Sequence, residues 1–142
     1  MASEGAPPLG GVLETGLYVE DLPRARGFYE GVLGLQPMFV DDRLAAYPAG
    51  PGSVLLLFQR GTTETPARLP GGVIPPHDGS GHLHYAFAVA AEHLEAWTAR
   101  LAEKGIAIES RVDWPRGARS LYFRDPDGNL VELATPGLWK NY

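Results

Sequence analysis

The chain has 142 residues, a formal net charge of −5, 44% hydrophobic residues and no cysteine. An acidic balance without a cluster of basic residues argues against nucleic acid or an anionic membrane as the partner. The lack of cysteine excludes disulfides, thiolate nucleophiles and cysteine-ligated zinc, so a bound metal would need nitrogen and oxygen ligands.

Residues 1–11, MASEGAPPLGG, are predicted to form a flexible tail. They lack the basic region and the apolar region of a secretory signal. Nowhere does an apolar run approach the roughly 20 residues of a membrane-spanning helix. We therefore expect a cytoplasmic protein that has no membrane partner.

Residues 12–59 are predicted to form a first module with the element order β-α-β-β-β. The segment VLETGLYV alternates in polarity as a strand does. Asp21 and Pro23 are typical of the start of a helix, and Gly34 of its end. Three shorter strand-like segments follow, which are LQPMFV, LAAYP and SVLLLFQ.

Residues 82–136 repeat this order about 70 residues later, which predicts a second module of the same kind. HLHYAFAV is strand-like, and Leu94, Trp97 and Leu101 then follow at helical spacing until Gly105. The last two of three further strands, RSLYFR and GNLVELA, are joined by the turn sequence DPDG.

Two segments lie outside the predicted modules. Residues 60–81 are rich in glycine, proline and threonine and are too long for a simple connector. They are predicted to link the modules and to serve as a possible lid over a site. Residues 137–142 are predicted to be a tail, and the tryptophans Trp114 and Trp139 to be packing residues.

Glu132 is unusual because it lies in an otherwise apolar strand, between Val131 and Leu133. An unpaired buried charge is costly, so such a residue is usually exposed, paired or bound to a metal. Side-chain alternation gathers polar residues on one face of the predicted sheets. That face carries Glu14, His84, Ser120, Tyr122 and Glu132. Polar residues among small ones are typical of a cleft.

The segments LYVEDLPRARGFYEGVLGL, HYAFAV and YFRDPDGNLVELATP together resemble the vicinal oxygen chelate superfamily. This superfamily includes glyoxalases, bleomycin- and fosfomycin-resistance proteins and extradiol dioxygenases. The resemblance extends from Val12 to Pro136. It implies an α+β fold of two βαβββ modules, whose curled mixed sheets form a metal-binding cleft. It also implies a homodimer that pairs the first module of one chain with the second module of the other.

The same resemblance implies a divalent metal held by Glu14, His84 and Glu132. Many relatives have histidine at the first of these positions, and Leu56 stands where glyoxalase-type members have a fourth ligand. One imidazole and two carboxylates suit Mn²⁺, Fe²⁺, Ni²⁺, Zn²⁺ or Mg²⁺ and leave positions open for water and substrate. The departures at Glu14 and Leu56 argue against glyoxalase I activity and ordinary extradiol cleavage.

Other interpretations of these residues are open at this stage. Glu132 could pair with Arg124 or Arg119, His84 could bond a backbone carbonyl in the core, and Glu14 could be exposed. The catalytic residue is not identified, and His82 and Glu132 are candidates for a base. The candidate substrate-binding residues are Ser120, Tyr122, Arg119 and His77, with sheet hydrogen bonding, an ion pair or simple exposure as alternatives.

The predicted function is that of a divalent-metal-dependent enzyme acting on a small oxygenated substrate that chelates the metal. Lyase or isomerase, dioxygenase and thiol transferase are the candidate reaction classes. The alternative is a metal-free protein that binds and sequesters a drug, as bleomycin-resistance proteins do. A third alternative is a relative without metal, in which the carboxylates pair with arginines. The sequence selects neither the substrate nor the metal.

Overall fold

The computed structural model describes residues 5–142, so residues 1–4 of the predicted tail lie outside the described part. The first half contains one helix and four strands, in the predicted order. They are β1 (Glu14–Val19), α1 (Leu22–Gly31), β2 (Phe39–Val40), β3 (Leu44–Pro48) and β4 (Val54–Gln59).

The second half repeats this order after a short hairpin. The hairpin consists of β5 (Ala67–Leu69) and β6 (Gly72–Ile74) and lies within the predicted linker. A 3₁₀ turn precedes the helix of the second half. The remaining elements are β7 (His84–Ala88), α2 (Leu94–Glu103), β8 (Ser110–Asp113), β9 (Arg119–Arg124) and β10 (Leu130–Ala134).

The two four-stranded sheets have the same topology. Their strand orders are β1-β4-β3-β2 and β7-β10-β9-β8. In each sheet the first and last strands of the module run parallel, and the other neighbours are antiparallel. The prediction of an α+β fold made of two βαβββ modules is therefore confirmed. Among the described helices, none is both long and apolar enough to cross a membrane.

Helix α1 begins as its sequence predicts. Asp21 is the N-cap, and its carboxylate accepts a hydrogen bond from the backbone N–H of Arg24 at 3.1 Å. Pro23 lies in the first turn, where the missing N–H has no intrahelical partner to lose. The apolar face of the helix is buried and includes Ala25 and Phe28.

One hydrophobic core is shared by the two modules. It combines residues of α1, β1, β3 and β4 with residues of α2, β9 and β10. The ring of Phe28 in the first module lies 6.2 Å from that of Phe123 in the second. Because the helix sides of both sheets face this core, the opposite faces of the sheets are available for a site.

Candidate metal centre

Glu132 is buried and paired. Its side chain is 5% exposed, and the Ser120 hydroxyl donates to its Oε2 at 2.6 Å. His84 Nε2 lies 3.2 Å from its other oxygen, Oε1. The two arginines considered as partners bind other carboxylates. Arg124 pairs with Glu109 at 2.8 Å, and Arg119 pairs with Asp113 at 3.3 Å and Glu95 at 3.5 Å.

The orientation of His84 follows from its second contact. Its Nδ1 lies 2.9 Å from the carbonyl oxygen of Leu130. Because a carbonyl oxygen only accepts, Nδ1 carries a proton and donates it in this bond. In a neutral imidazole, Nε2 then presents a lone pair toward the Glu132 carboxylate. Two lone pairs facing each other at this distance repel unless a proton or a cation lies between them.

Strand register explains why these groups meet. Glu132 of β10 lies opposite Ala86 of β7 and Tyr122 of β9. His84 is two residues before Ala86, and Ser120 is two residues before Tyr122, so all four polar side chains share one face. That face is the one opposite the core.

Ser120 and Tyr122 differ in what they can offer a ligand. Ser120 is buried, donates to Glu132 and accepts the indole N–H of Trp114 at 2.9 Å. Its hydroxyl therefore positions the carboxylate. Tyr122 is half-buried, with its ring 6.3 Å from that of His84. Burial first, and then the charge of Glu132, raises the pKa of the Tyr122 phenol, which stays protonated at neutral pH and can donate.

A cleft of about 610 Å³ opens in front of the His84–Glu132 pair. This volume is in the range of small-molecule sites. Two of its aromatic residues, Trp114 and Trp139, were predicted to be packing residues, and part of its wall belongs to the predicted tail, residues 137–142. Besides His84, Glu132 and Tyr122, the wall includes Trp114, Leu138, Trp139 and Tyr142. These four residues lie outside the strands, where no alternation pattern indicates the direction of a side chain.

Glu14 lies apart from the other two predicted ligands. It is exposed, and it begins β1 in the first sheet, opposite Val54. Leu56, at the position of a fourth ligand, lies opposite Gly16 in the same sheet. Within residues 5–142 no group of three or more histidine, aspartate or glutamate side chains could hold an ion. A single chain thus brings together His84 and Glu132 only.

The remaining candidates lie outside the lining of this cleft. His77 packs on the first sheet, with Nδ1 2.5 Å from the Tyr18 hydroxyl and its ring 4.8 Å from that of Phe58. His82 is exposed and lies against the turn before β10, where a Cβ on Gly128 would come within 2.8 Å of the imidazole. Arg119 is exposed in its ion pairs.

Comparison with known proteins places the matches to this chain in one superfamily. The model of the Glyoxalase/Bleomycin resistance protein/Dioxygenase superfamily matches residues 11–133. The chain is 33% identical to a catechol-2,3-dioxygenase of Bacillus subtilis over 121 residues, which cover 82% of this chain and 38% of that protein. It is 28% identical over 120 residues to the metallothiol transferase FosB of Shouchella clausii, and this match covers 82% of this chain and 74% of that protein.

A solved structure is similar over nearly the whole chain. The crystal structure of lactoylglutathione lyase from Agrobacterium tumefaciens superposes with a TM-score of 0.84 at 32% identity. The match covers 94% of this chain and 99% of that one. Against the catechol-2,3-dioxygenase, by contrast, the chain spans well under half of the relative's length. The chain belongs to the Glyoxalase/Bleomycin resistance protein/Dioxygenase superfamily.

Proposed function

We propose that this protein is a divalent-metal-dependent enzyme that acts on a small oxygenated molecule. The observation that carries the proposal is the convergence of His84 Nε2 and Glu132 Oε1 at 3.2 Å, with Nδ1 of the same imidazole donating to a carbonyl. A backbone carbonyl on the far nitrogen of a histidine is the usual arrangement around a metal ligand, since it fixes the tautomer. A cation between the two atoms would remove their repulsion.

The donor set fits a hard divalent ion, although it is incomplete within one chain. We propose that Glu14 of the partner subunit is the third ligand in a homodimer that pairs unlike modules. One imidazole nitrogen and two carboxylates would hold Mn²⁺, Fe²⁺, Ni²⁺, Zn²⁺ or Mg²⁺. Three protein ligands would leave room for the oxygens of a substrate.

The residues of this chain have distinct roles in this proposal. A bound divalent ion would supply Lewis acidity toward substrate oxygen. Ser120 holds one oxygen of Glu132, which leaves the other directed toward His84. The protonated phenol of Tyr122 can donate a hydrogen bond to an oxygen of the substrate. The aromatic wall of the cleft, including Trp114, would cover part of a bound substrate.

The relatives set the reaction classes to be tested. Their names describe a lyase, a dioxygenase and a metallothiol transferase. We propose that this chain catalyses one of these three kinds of reaction. Suitable probes are methylglyoxal with glutathione, catechol in air, and glutathione with an epoxide.

The test is turnover of these probes by protein stripped with a chelator and then resupplied with each of the five ions. We expect turnover only after an ion is added, and loss of at least about 100-fold in Glu132→Gln, because a ligand is removed. Glu103→Gln, an exposed carboxylate on α2, is the matched control and should behave as wild type. Turnover that survives chelation, or that is unchanged in Glu132→Gln, would contradict the proposal.

A second candidate function is sequestration of a small molecule without metal. The size of the cleft and its tryptophan and tyrosine wall favour it. In that case His84 and Glu132 would form an ion pair that needs a protonated imidazole. Ligand binding without turnover, and without any affinity for the five ions, would support this function over catalysis.

A further inference from the structure

We propose that the cleft selects an uncharged ligand with a planar ring, and that Trp139 is the residue that stacks on this ring. The inference rests on the proposed function in one respect, namely that an oxygen of the ligand lies at the His84–Glu132 pair. It adds a residue that determines specificity and the chemical class of the ligand, which among the three candidate reactions fits an aromatic substrate better than an anionic glutathione conjugate.

The charge of the wall argues against an anionic ligand. Among the described residues that line the cleft there is one carboxylate, Glu132, and no lysine or arginine. The arginines nearby along the chain are engaged elsewhere. Arg116 donates to the carbonyl oxygens of Gly137 and Leu138 at 3.2 and 3.4 Å, and Arg124 pairs with Glu109. In the proposed site the two carboxylates would neutralise the divalent ion, so a carboxylate or phosphonate in the cleft would meet neither a side-chain cation nor a net positive charge.

The shape and chemistry of the wall favour a flat ring. Six aromatic residues contribute to it, namely Trp114, Trp139, Tyr85, Tyr122, Tyr142 and Phe87. The indole of Trp114 is held by its hydrogen bond to Ser120. Trp139 is 68% exposed although it belongs to the cleft wall. An exposed indole at the rim of a cleft offers a π face that a planar ligand can cover.

The backbone that carries Trp139 is held in place before any ligand binds. After β10 the chain folds back, and the Tyr142 hydroxyl donates to the carbonyl of Ala134 at 2.7 Å. The N–H of Tyr142 donates to the Trp139 carbonyl at 3.1 Å, and the N–H of Gly137 donates to the Tyr142 carbonyl at 2.5 Å. Because this loop is already ordered, stacking on Trp139 requires little further loss of conformational entropy.

Three ligands of similar size test the proposal by isothermal titration calorimetry. They are 2-naphthol (planar and uncharged), 2-naphthoate (the same ring with a negative charge) and trans-2-decalol (a saturated ring with the same hydroxyl). We expect wild-type protein to bind 2-naphthol at least about fivefold more tightly than either of the others. Equal affinities, or tighter binding of 2-naphthoate, would overturn the proposal.

Substitutions separate stacking from general contact. Trp139→Ala should weaken the binding of 2-naphthol about fivefold and change the affinity for trans-2-decalol less than about twofold. Trp139→Phe should keep most of the affinity for 2-naphthol. Trp97→Phe is the control, because Trp97 lines a different cavity against Leu33 and His93. Thermal unfolding of each variant checks that the fold is retained. A Trp139→Ala protein that is folded and binds 2-naphthol as wild type does would refute the role of Trp139.

Separate titrations with each of the five ions distinguish this inference from the proposed function. A ring preference that depends on Trp139, in protein with no affinity for any of the five ions, would support the inference and count against the metal enzyme. Binding of an ion without any ring preference would support the metal enzyme and count against the inference.

Discussion

At the scale of single residues, the proposed function depends most on the environment of Glu132. A carboxylate that is 5% exposed receives a hydroxyl on one oxygen and faces an imidazole nitrogen on the other. Burial makes each of these contacts strong and makes the loss of one costly. Ser120 is the direct support of this carboxylate.

Ser120→Ala tests that support. The change leaves Glu132 Oε2 and the indole N–H of Trp114 without their present partner, so we expect a loss of about 1–3 kcal/mol in the free energy of unfolding. We also expect Mn²⁺ affinity to fall about 10-fold or more, since the carboxylate is no longer oriented. Urea unfolding and Mn²⁺ titration measure the two effects. Ser110→Ala, an exposed serine of β8, is the control. If the Ser120→Ala protein is destabilised but its Mn²⁺ affinity is unchanged, Ser120 contributes to stability only and does not orient Glu132 for metal binding.

At the scale of elements, strand alternation was sufficient to place His84 and Glu132 on one face. This prediction needed only the assignment of the strands and the rule that side chains alternate between the two faces of a strand. It did not reveal the β5–β6 hairpin, because each strand has only three residues and lies in a segment rich in proline and glycine. We retain the division into residues 12–59, 60–81 and 82–136 as a proposal.

The segment after β10 was also not predictable by these rules. Its fold depends on single hydrogen bonds from Tyr142 and Arg116 to backbone carbonyls, and such bonds have no sequence period. The cleft residues Trp114 and Trp139 were assigned to packing for the same reason. Alternation in the strands therefore predicted His84, Ser120, Tyr122 and Glu132, but not the aromatic residues that lie outside the strands.

Helix α1 makes a testable contribution to stability that depends on pH. Glu30 accepts hydrogen bonds from Arg26 at 2.7 Å and from the Tyr47 hydroxyl at 2.9 Å. The bond from Arg26 is the main reason why the pKa of Glu30 is lowered. A carboxyl with a lowered pKa in the folded state stabilises the fold above its unfolded-state pKa of about 4.3, and this stabilisation is lost as the pH falls through the folded-state value.

Glu30→Gln should therefore be less stable than wild type near neutral pH, and the difference should shrink between about pH 5 and about pH 3. Urea unfolding at a series of pH values measures this difference. Glu103→Gln on α2 is the control and should show a smaller change. A difference that stays constant over the range would mean that the ion pair with Arg26 contributes nothing.

At the scale of the whole molecule, the two modules are joined by a buried chain of hydrogen bonds. The hydroxyl of Tyr85 in β7 donates to that of Tyr29 in α1 at 2.6 Å, and Tyr29 donates to Asp125 at 2.7 Å. Asp125 also accepts bonds from Asp127 and Asn129, which hold the turn before β10. This chain couples the cleft wall to α1 of the other module. No local pattern predicts it, since its members are far apart in sequence.

Tyr29→Phe removes the central hydroxyl of this chain. It leaves Asp125 short of a donor and Tyr85 without its acceptor, so we expect a loss of about 1–3 kcal/mol in the free energy of unfolding. Tyr85→Phe is the matched comparison and should cost less, because Tyr29 keeps its bond to Asp125. Urea unfolding of both variants shows which of them loses more free energy of unfolding. A larger loss in Tyr85→Phe would contradict this account.

The proposed homodimer makes a prediction about mixed subunits. If Glu14 reaches the site of the partner subunit, dimers of Glu14→Ala and Glu132→Ala chains contain one intact site and one site without either carboxylate. Random mixing should then restore Mn²⁺ binding at about one site in four, although each variant alone binds weakly. Native mass spectrometry confirms subunit exchange. Exchange without any recovery of binding would place Glu14 outside the site.

The most direct test of the account is the metal content of the purified protein. Elemental mass spectrometry should be applied after purification without chelator and without a nickel column. The account predicts about one divalent ion per chain in wild type and in Glu103→Gln, and a sharp loss in Glu132→Gln. Folded wild-type protein that holds no ion, even after Mn²⁺, Fe²⁺, Ni²⁺, Zn²⁺ and Mg²⁺ have each been added back, would contradict it. Glu132 and His84 would then be an ion pair in the wall of a ligand-binding cleft.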